Sequence, residues 1–354
     1  MKTYKLAIVG ATGLVGRTAL KVLEEKNIPN FEYTLFSSSK SAGTKLKFLD
    51  KEYIVQELKD NSFDSGFDFA IFSAGAETSK HFAPIAASKG CIVIDNSSAF
   101  RMDDNVPLIV PEVNFKDAIN HNNIIANPNC STIQAVVVLK PLDDNFKIKR
   151  IVYSTYQAVS GAGKLGLQDL ENGYKSQFQN THLLKFSHPI YDNCLPHIDS
   201  FLINGYTKEE MKMINETRKI LGHQNLPITA TAVRVPVKNC HGESINIEFE
   251  NSFSIADVKS ILKNSPSIVV QDDIKNDIYP LATEANGHDE VFVGRIRKDY
   301  SIANALNLWV VADNLRKGAA SNAIQIIEKL ISWVCFFVHS KCLTYNKDCT
   351  NQYK

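Results

Sequence analysis

The apolar run KLAIVG is followed at once by GATGLVG at residues 10–16, and then by the helical pattern TALKVLEEK. That order constrains the chain more than any other feature. A strand that hands over to a helix through a glycine turn leaves the first helical N–H groups open to an anion, and glycines let a pyrophosphate approach the backbone. The glycines fall at Gly10, Gly13 and Gly16, which departs from G-x-G-x-x-G. On this motif alone a purely structural turn stays open. The runs that follow, YTLFSS, FDFAIFSA, a helical stretch near 78–89, CIVIDNS and IIANP, keep strands alternating with helices. Such alternation predicts βαβ units on a parallel sheet, an α/β domain.

From about residue 148 the pattern changes. KRIVYSTYQAVSG, ITATAVRVPV, SINIEFE and ALNLWVVAD read as longer β-rich stretches separated by helices such as KEEMKMINETRKIL, which predicts a second domain of α+β type. The last helical pattern, NLRKGAASNAIQIIEKLI, has apolar residues at helical spacing and is expected to return to the first domain.

Length and composition narrow the function. A chain of 354 residues, 44% hydrophobic and 22% charged, supports two packed domains and is too apolar for disorder. Its 39 basic and 38 acidic residues leave a net charge of +1 with no long basic run, so no footprint for nucleic acid is present and small molecules are the expected partners. MKTYKLAIVG lacks a signal-peptide core. The apolar run ISWVCFFV at 331–338 falls far short of the roughly 20 residues of a spanning helix, so no membrane partner is expected. Seven scattered cysteines without an export signal predict reduced thiols and a cytoplasmic protein.

NPNCST at 127–132 sets Cys130 between a strand end and the apolar helix TIQAVVVLKPL. A helix N-terminus stabilises thiolate and lowers a thiol pKa. Free cysteines also pack as small hydrophobes, and position alone leaves both readings open. A nucleophile needs an acid/base partner. Of nine histidines, His241 stands apart in RVPVKNCHGES, read as a loop after a strand, with Arg234 seven residues earlier; a solvated loop histidine reads the same way. Further candidates are Arg101 in SSAFR, Gln157 in YQAVSGAG beside glycines that permit close approach, and Glu209 and Lys212 of EEMK on one helix face. An ion pair and ordinary surface charge are the plain alternatives there. At the end of the second strand, FSSSKSAG at 36–43 offers Ser38, Ser39, Lys40 and Ser41, where an NAD site carries an acidic residue for the ribose 2′-hydroxyl. A 2′-phosphate, and so NADP, is expected, against a solvated polar loop.

Together these segments resemble the aspartate-semialdehyde dehydrogenase family, in its smaller bacterial type. GATGLVG, SKSAG, DNSSAFRM, PEVN, NPNCSTIQ, YQAVSGAG, EEMKMINETRKI, RVPV, GRIRKD and ADNLRKGAA stand in the family's order from residue 5 to about 330, and the string around Cys130 is the most specific. The resemblance implies NADPH-dependent reductive dephosphorylation of L-aspartyl 4-phosphate to L-aspartate 4-semialdehyde, on the way to lysine through diaminopimelate, threonine and methionine. By the same resemblance Cys130 forms a thioacyl enzyme, His241 is the acid/base, and Gln157 orients the acyl intermediate. Arg234 holds the substrate α-carboxylate, Glu209 the α-amino group, and Arg101 and Lys212 the phosphate. NADP contacts are implied for Gly10, Thr12, Gly13, Leu14, Val15, Lys40, Ser41, Ser160, Gly161 and Asn314. Lys40 stands where the family usually has arginine, Cys240 where glycine is frequent, and Gly242 where serine is frequent.

The resemblance also implies a Rossmann-type NADP-binding domain at 1–126 completed by a helix at 313–331, and a catalytic and dimerisation domain at 127–312 that builds a homodimer. It stops near residue 332. In the atypical tail, Cys335, Cys342 and Cys349 recur with His339, a spacing that fits no standard zinc pattern, so no metal is expected. Two other readings remain. N-acetyl-glutamyl-phosphate reductase shares the chemistry but usually has glycine where Asn129 precedes the cysteine, and a catalytically silent paralogue would keep the fold alone.

Overall fold

A computed structural model describes residues 2–28, 30–176 and 183–333; the tail cysteines and His339 lie outside them. In chain order the first part forms β1 (Tyr4–Val9), α1 (Leu14–Lys26), β2 (Phe31–Ser37), the hairpin strands β3 (Lys45–Phe48) and β4 (Lys51–Ile54), β5 (Gln56–Glu57), β6 (Phe69–Phe72), α2 (Ala76–Ser88), β7 (Ile92–Asp95) and β8 (Ile124–Ala126). Six of these strands pair in parallel in the order β5-β2-β1-β6-β7-β8. The order reverses between β1 and β6, the switch point where such sheets take nucleotides.

β1 accounts for the layering. Leu6 and Ile8 pack on one face with Ala19 and Leu23 of α1 and with Ile324 and Ile327 near the chain's end. Ala7 and Val9 pack on the other with Phe72 and with Ala83 and Ala86 of α2. A parallel strand covered on both faces must be apolar throughout, and that is why LAIV is unbroken.

The second part contains α3 (Cys130–Phe146), β9 (Ile148–Gln157), α4 (Gly163–Ser176), α5 (Lys208–Leu221), β10 (Ile228–Arg234), β11 (His241–Phe249), α6 (Ile255–Lys263), β12 (Ile268–Val270), α7 (Ala282–Ala285), β13 (Val291–Asp299) and β14 (Ala305–Ala312). Its sheet runs β10-β9-β11-β14-β13-β12, with parallel pairs at the two ends and antiparallel pairs between. One face packs through Tyr153, Ile245 and Leu308 on Ile133 of α3, Met213 of α5 and Leu262 of α6. The opposite face stays open: Tyr156 is 42% exposed and meets Trp309 edge-on at 5.5 Å. After β14 a π turn at Arg316–Ala320 leads into a helix at 321–333, whose apolar side joins the first core.

Among the described residues no helix is long and apolar enough to cross a membrane. None of their His, Cys, Asp or Glu side chains cluster in a group of three or more that could hold a metal.

Candidate active site

Cys130 is the first residue of α3, delivered there by the end of β8. Asn129 caps the helix, its side-chain oxygen accepting from Ser131 N–H at 3.0 Å and Thr132 N–H at 3.4 Å. The π turn packs against this start because residue 318 is glycine: a Cβ there would lie 2.8 Å from the Cβ of Cys130. Helix position alone predicts a lowered thiol pKa, and the structure reverses that. Part of the residue reaches solvent, but burial of the thiol pushes it up to about 12, Glu209 adds to the rise, and Arg101 and Arg234 oppose it. The resting sulfur is a thiol.

Three strand ends converge on the cysteine. β10 and β9 run in parallel with Arg234 beside Gln157, while β11 runs against β9 so that its first residues return to the same edge. His241 therefore opens a strand and is wholly buried, where the sequence suggested a loop. Its Nδ1 accepts the Ala158 N–H at 3.0 Å, and Nε2 has no protein partner. Burial first, then the charge of Arg234, lowers the ring to about 3, so the imidazole is neutral, with its proton on Nε2. Cys240, just before it, takes φ +72, a left-handed conformation that glycine would adopt without strain. Gly161 fits against this corner because a Cβ would come 2.9 Å from Arg234 Nη1 and 3.4 Å from His241 Nε2.

α5 supplies Glu209 and Lys212 from one stripe. Glu209 accepts from Asn129 Nδ2 at 2.9 Å, Gln157 Nε2 at 3.3 Å and Lys212 Nζ at 3.1 Å. Burial pushes its carboxyl up, but Lys212, Asn129 and Arg234 together hold it below the ordinary value. Lys212 also donates to Asp199 at 2.8 Å. Arg234 Nη1 donates to Ala158 O at 2.7 Å. Arg101 donates to Asn127 O, Asn96 O and Glu216. A cleft of about 590 Å³ is lined by Arg101, Cys130, Gln157, Glu209, Lys212 and Arg234, with Gly161 at its edge.

The glycine turn lies apart from this cleft wall. Gly10 has φ +84, and a Cβ there would meet Ser73 O at 2.8 Å; a Cβ on Gly16 would meet Gly10 O at 2.2 Å. α1 begins at Leu14 after Gly13, without a side-chain cap, so its first N–H groups remain free for an anion, with Thr12 and Val15 flanking them. Thr12 and Ser37 share a hydroxyl hydrogen bond at 2.8 Å. Lys40 is exposed and Ser41 half-buried in the turn after β2. Asn314 donates to Ser160 Oγ at 3.0 Å and accepts from Cys240 N–H at 2.9 Å, which links that loop to the residue before His241.

Several groups escape a reading of the sequence. Ser98, Lys185, His197 and Asp199 also line the cleft, and no spacing announces them. Glu216 and Lys219 continue the stripe of Glu209 and Lys212 along α5, a pattern shared by any solvated helix face. Glu243 is fully buried beneath α3, its carboxyl near the Ser131 hydroxyl but without a well-formed hydrogen bond, hidden in a strand-like string.

The chain matches the semialdehyde dehydrogenase NAD binding domain over residues 5–121 and the semialdehyde dehydrogenase dimerisation domain over 139–317. It is 54% identical over 334 residues to the aspartate-semialdehyde dehydrogenase of Aquifex aeolicus, covering 93% of this chain and 98% of that one. The chain belongs to the aspartate-semialdehyde dehydrogenase family. Among solved members, aspartate semialdehyde dehydrogenase II of Vibrio cholerae complexed with ASA superposes with a TM-score of 0.90 at 44% identity, over 94% of this chain and 99% of that one. The Candida albicans aspartate semialdehyde dehydrogenase with NADP gives 0.74 at 26% identity, over 92% and 98%. The two sheets described above are thus those of aspartate-semialdehyde dehydrogenases.

Proposed function

We propose that the protein reduces L-aspartyl 4-phosphate to L-aspartate 4-semialdehyde with release of phosphate, using NADPH, in the biosynthesis of lysine through diaminopimelate and of threonine, methionine and isoleucine. The observation that carries this reading is a single cleft where Cys130 meets the carboxylate Glu209 and the cations Arg101, Lys212 and Arg234. An amino-acid acyl phosphate has the matching groups: an ammonium, a carboxylate and a phosphate.

Cys130 Sγ attacks the acyl carbon, the bond from that carbon to the phosphate oxygen breaks, and a thioester remains on the enzyme. Arg101 and Lys212 take the departing phosphate, while Arg234 clamps the α-carboxylate and Glu209 the α-amino group. Gln157 orients the acyl group. His241 is the acid/base: its Nε2–H donates to the reacting carbonyl oxygen, and the proton of the Cys130 thiol leaves on the oxygen of the departing phosphate.

The residues present fit NADP. Free N–H groups at the start of α1 suit a pyrophosphate, and the segment 37–43 has hydroxyls and Lys40 but no carboxylate. When bound, the nucleotide supplies the hydride that reduces the thioester. We assign its contacts to Gly10, Thr12, Gly13, Leu14 and Val15, to Lys40 and Ser41 for the 2′-phosphate, and to Ser160, Gly161 and Asn314. Residues 1–126 with the helix at 313–331 form the NADP-binding domain in this reading, and 127–312 the catalytic domain, with 332–354 outside both. The open sheet face around Tyr156 and Trp309 supports a homodimer. Unpaired Cys91, Cys130, Cys194 and Cys240 suit the cytoplasm.

The test is phosphate-dependent oxidation of L-aspartate 4-semialdehyde, followed as NADPH appearance, for wild type beside Cys130→Ala. Activity that requires phosphate and is lost in the variant is expected. An inactive wild type, or one that acts on the N-acetylated acyl phosphate instead, overturns the reading.

A further inference from the structure

Arg101 and Cys130 are tied together by a carboxylate to which the reaction gives no role. Glu216 on α5 is 1% exposed. Its Oε1 accepts from Arg101 Nη1 at 3.0 Å, and its Oε2 accepts from the backbone N–H of Asn129 at 2.6 Å. Asn129 is the cap of the helix that Cys130 opens. In a capping box the acidic residue at the third helical position reaches back to take the N–H of the cap. Here that position is Thr132, whose hydroxyl is buried without a partner, and Glu216 fills the role from 87 residues away.

The other oxygen of the same carboxylate fixes the guanidinium. Arg101 spends its Nε on Asn127 O at 2.9 Å and its Nη2 on Asn96 O at 2.8 Å, so two of its five N–H groups stay free for a ligand in the cleft. One turn further along α5, Lys219 Nζ donates to the carbonyls of Arg101, Asp103 and Val106 at 2.9, 2.8 and 2.9 Å. Through Glu216 and Lys219, α5 therefore holds the Arg101 loop at two points, and through Glu216 it also holds the start of the nucleophile's helix. A buried ion pair is weak evidence of added stability, because desolvation offsets its attraction. One whose second oxygen holds a catalytic helix start sets geometry.

We propose that Glu216 is a positioning residue that sets the phosphate-holding guanidinium of Arg101 and the start of the Cys130 helix in one frame. The inference rests on the roles proposed above for Arg101 and Cys130. An amide at this position keeps one acceptor and presents an N–H group to the other donor, so one of the two bonds fails.

The experiment measures KM for phosphate, semialdehyde and NADP in wild type, Glu216→Gln, Arg101→Gln and the double variant, with the rate of Cys130 alkylation by iodoacetamide. For Glu216→Gln, loss of a charge-assisted hydrogen bond predicts a rise in phosphate KM of about tenfold to a hundredfold. The KM values for semialdehyde and NADP should stay within about twofold, and the alkylation rate should change. The double variant should be no worse in phosphate KM than Arg101→Gln alone, because both changes break one frame. Additive effects, or a lowered melting temperature with phosphate KM and alkylation unchanged, overturn the proposal. If Glu216→Gln does not yield folded protein, Glu216→Asp replaces it in the same cycle under the same criterion, since the shorter carboxylate cannot span both donors. A wild type that turns over semialdehyde without phosphate defeats the underlying functional reading and is recognised separately.

Discussion

The N-termini of α5 and α3 are built in opposite ways. α5 closes its own box: Thr207 Oγ1 accepts the Glu210 N–H at 3.3 Å, and Glu210 returns a carboxylate oxygen to the Thr207 N–H at 2.7 Å. Everything it needs lies within four residues. α3 has the cap Asn129 but no acid in its first turn, and it borrows Glu216 for the cap N–H and Glu209 for the cap side chain from α5. The scaffold helix completes its N-terminus locally, whereas the helix that carries the nucleophile has a local side-chain cap but relies on α5 to satisfy the cap's own N–H groups. The start of the Cys130 helix is therefore held in part by Glu209, which also lines the cleft.

The sharpest way to break this contrast is Asn129→Ala. It removes two bonds to the first turn of α3 and one to Glu209, and misplacing a nucleophile by even about 1 Å costs on the order of a hundredfold in rate. We expect kcat to fall by about that factor while stability falls by about 1 kcal/mol. Steady-state kinetics beside thermal melts check it; a kcat loss no larger than the stability loss implies would mean the borrowed cap has no catalytic consequence.

A second, smaller effect lies beneath the same turn. Burial raises the carboxyl of Glu243 well above 4.5, with Glu209 adding to the rise and the Ser131 hydroxyl opposing it. A group whose folded pKa is raised contributes stability that is complete below its unfolded value and is lost as pH climbs towards the folded one. Glu243→Gln mimics the protonated acid at every pH, so the variant should gain on wild type as pH rises from about 4.5, by at most about 1.4 kcal/mol per pH unit. Melts at about pH 5 and about pH 8 measure the gap. A gap that does not widen shows that Glu243 is not held as the acid.

The difference between the two helix starts also explains what could be read in advance. The glycine turn, the alternation of the first domain and the β-rich second half are local patterns, and the inner position of β1 in a parallel sheet agrees with the run LAIV buried on both faces. T-x-x-E at 207–210 is a local signature too. NCHGES has the polarity of a turn and by sequence alone reads as a loop, whereas burial against α3 and the left-handed Cys240 make His241 the start of a strand. The thiol of Cys130 differs from its sequence expectation for a related reason: a helix N-terminus is visible in NPNCST, but the protein that desolvates the sulfur is not. Glu216 and Lys219 sit at helical spacing with Glu209 and Lys212, and only contacts with Asn129 and the Arg101 loop separate that stripe from a solvated one.

The smallest catalytic effect is expected at the self-contained box. Thr207→Ala deletes the acceptor for the Glu210 N–H, and cap deletions of this kind cost about 1 kcal/mol. Glu210 keeps a second anchor, because its Oε1 accepts the Ala232 N–H at 3.0 Å and holds the helix start against β10. Glu209 and Lys212 should therefore keep their places, and kcat and phosphate KM should stay within about twofold of wild type although stability falls about as far as in Asn129→Ala. Kinetics and melts on the two variants side by side decide it. Equal losses of activity would mean that α5 transmits any loosening of its first turn to Glu209 and Glu216, and the division between a scaffold helix and a catalytic one would have to be abandoned.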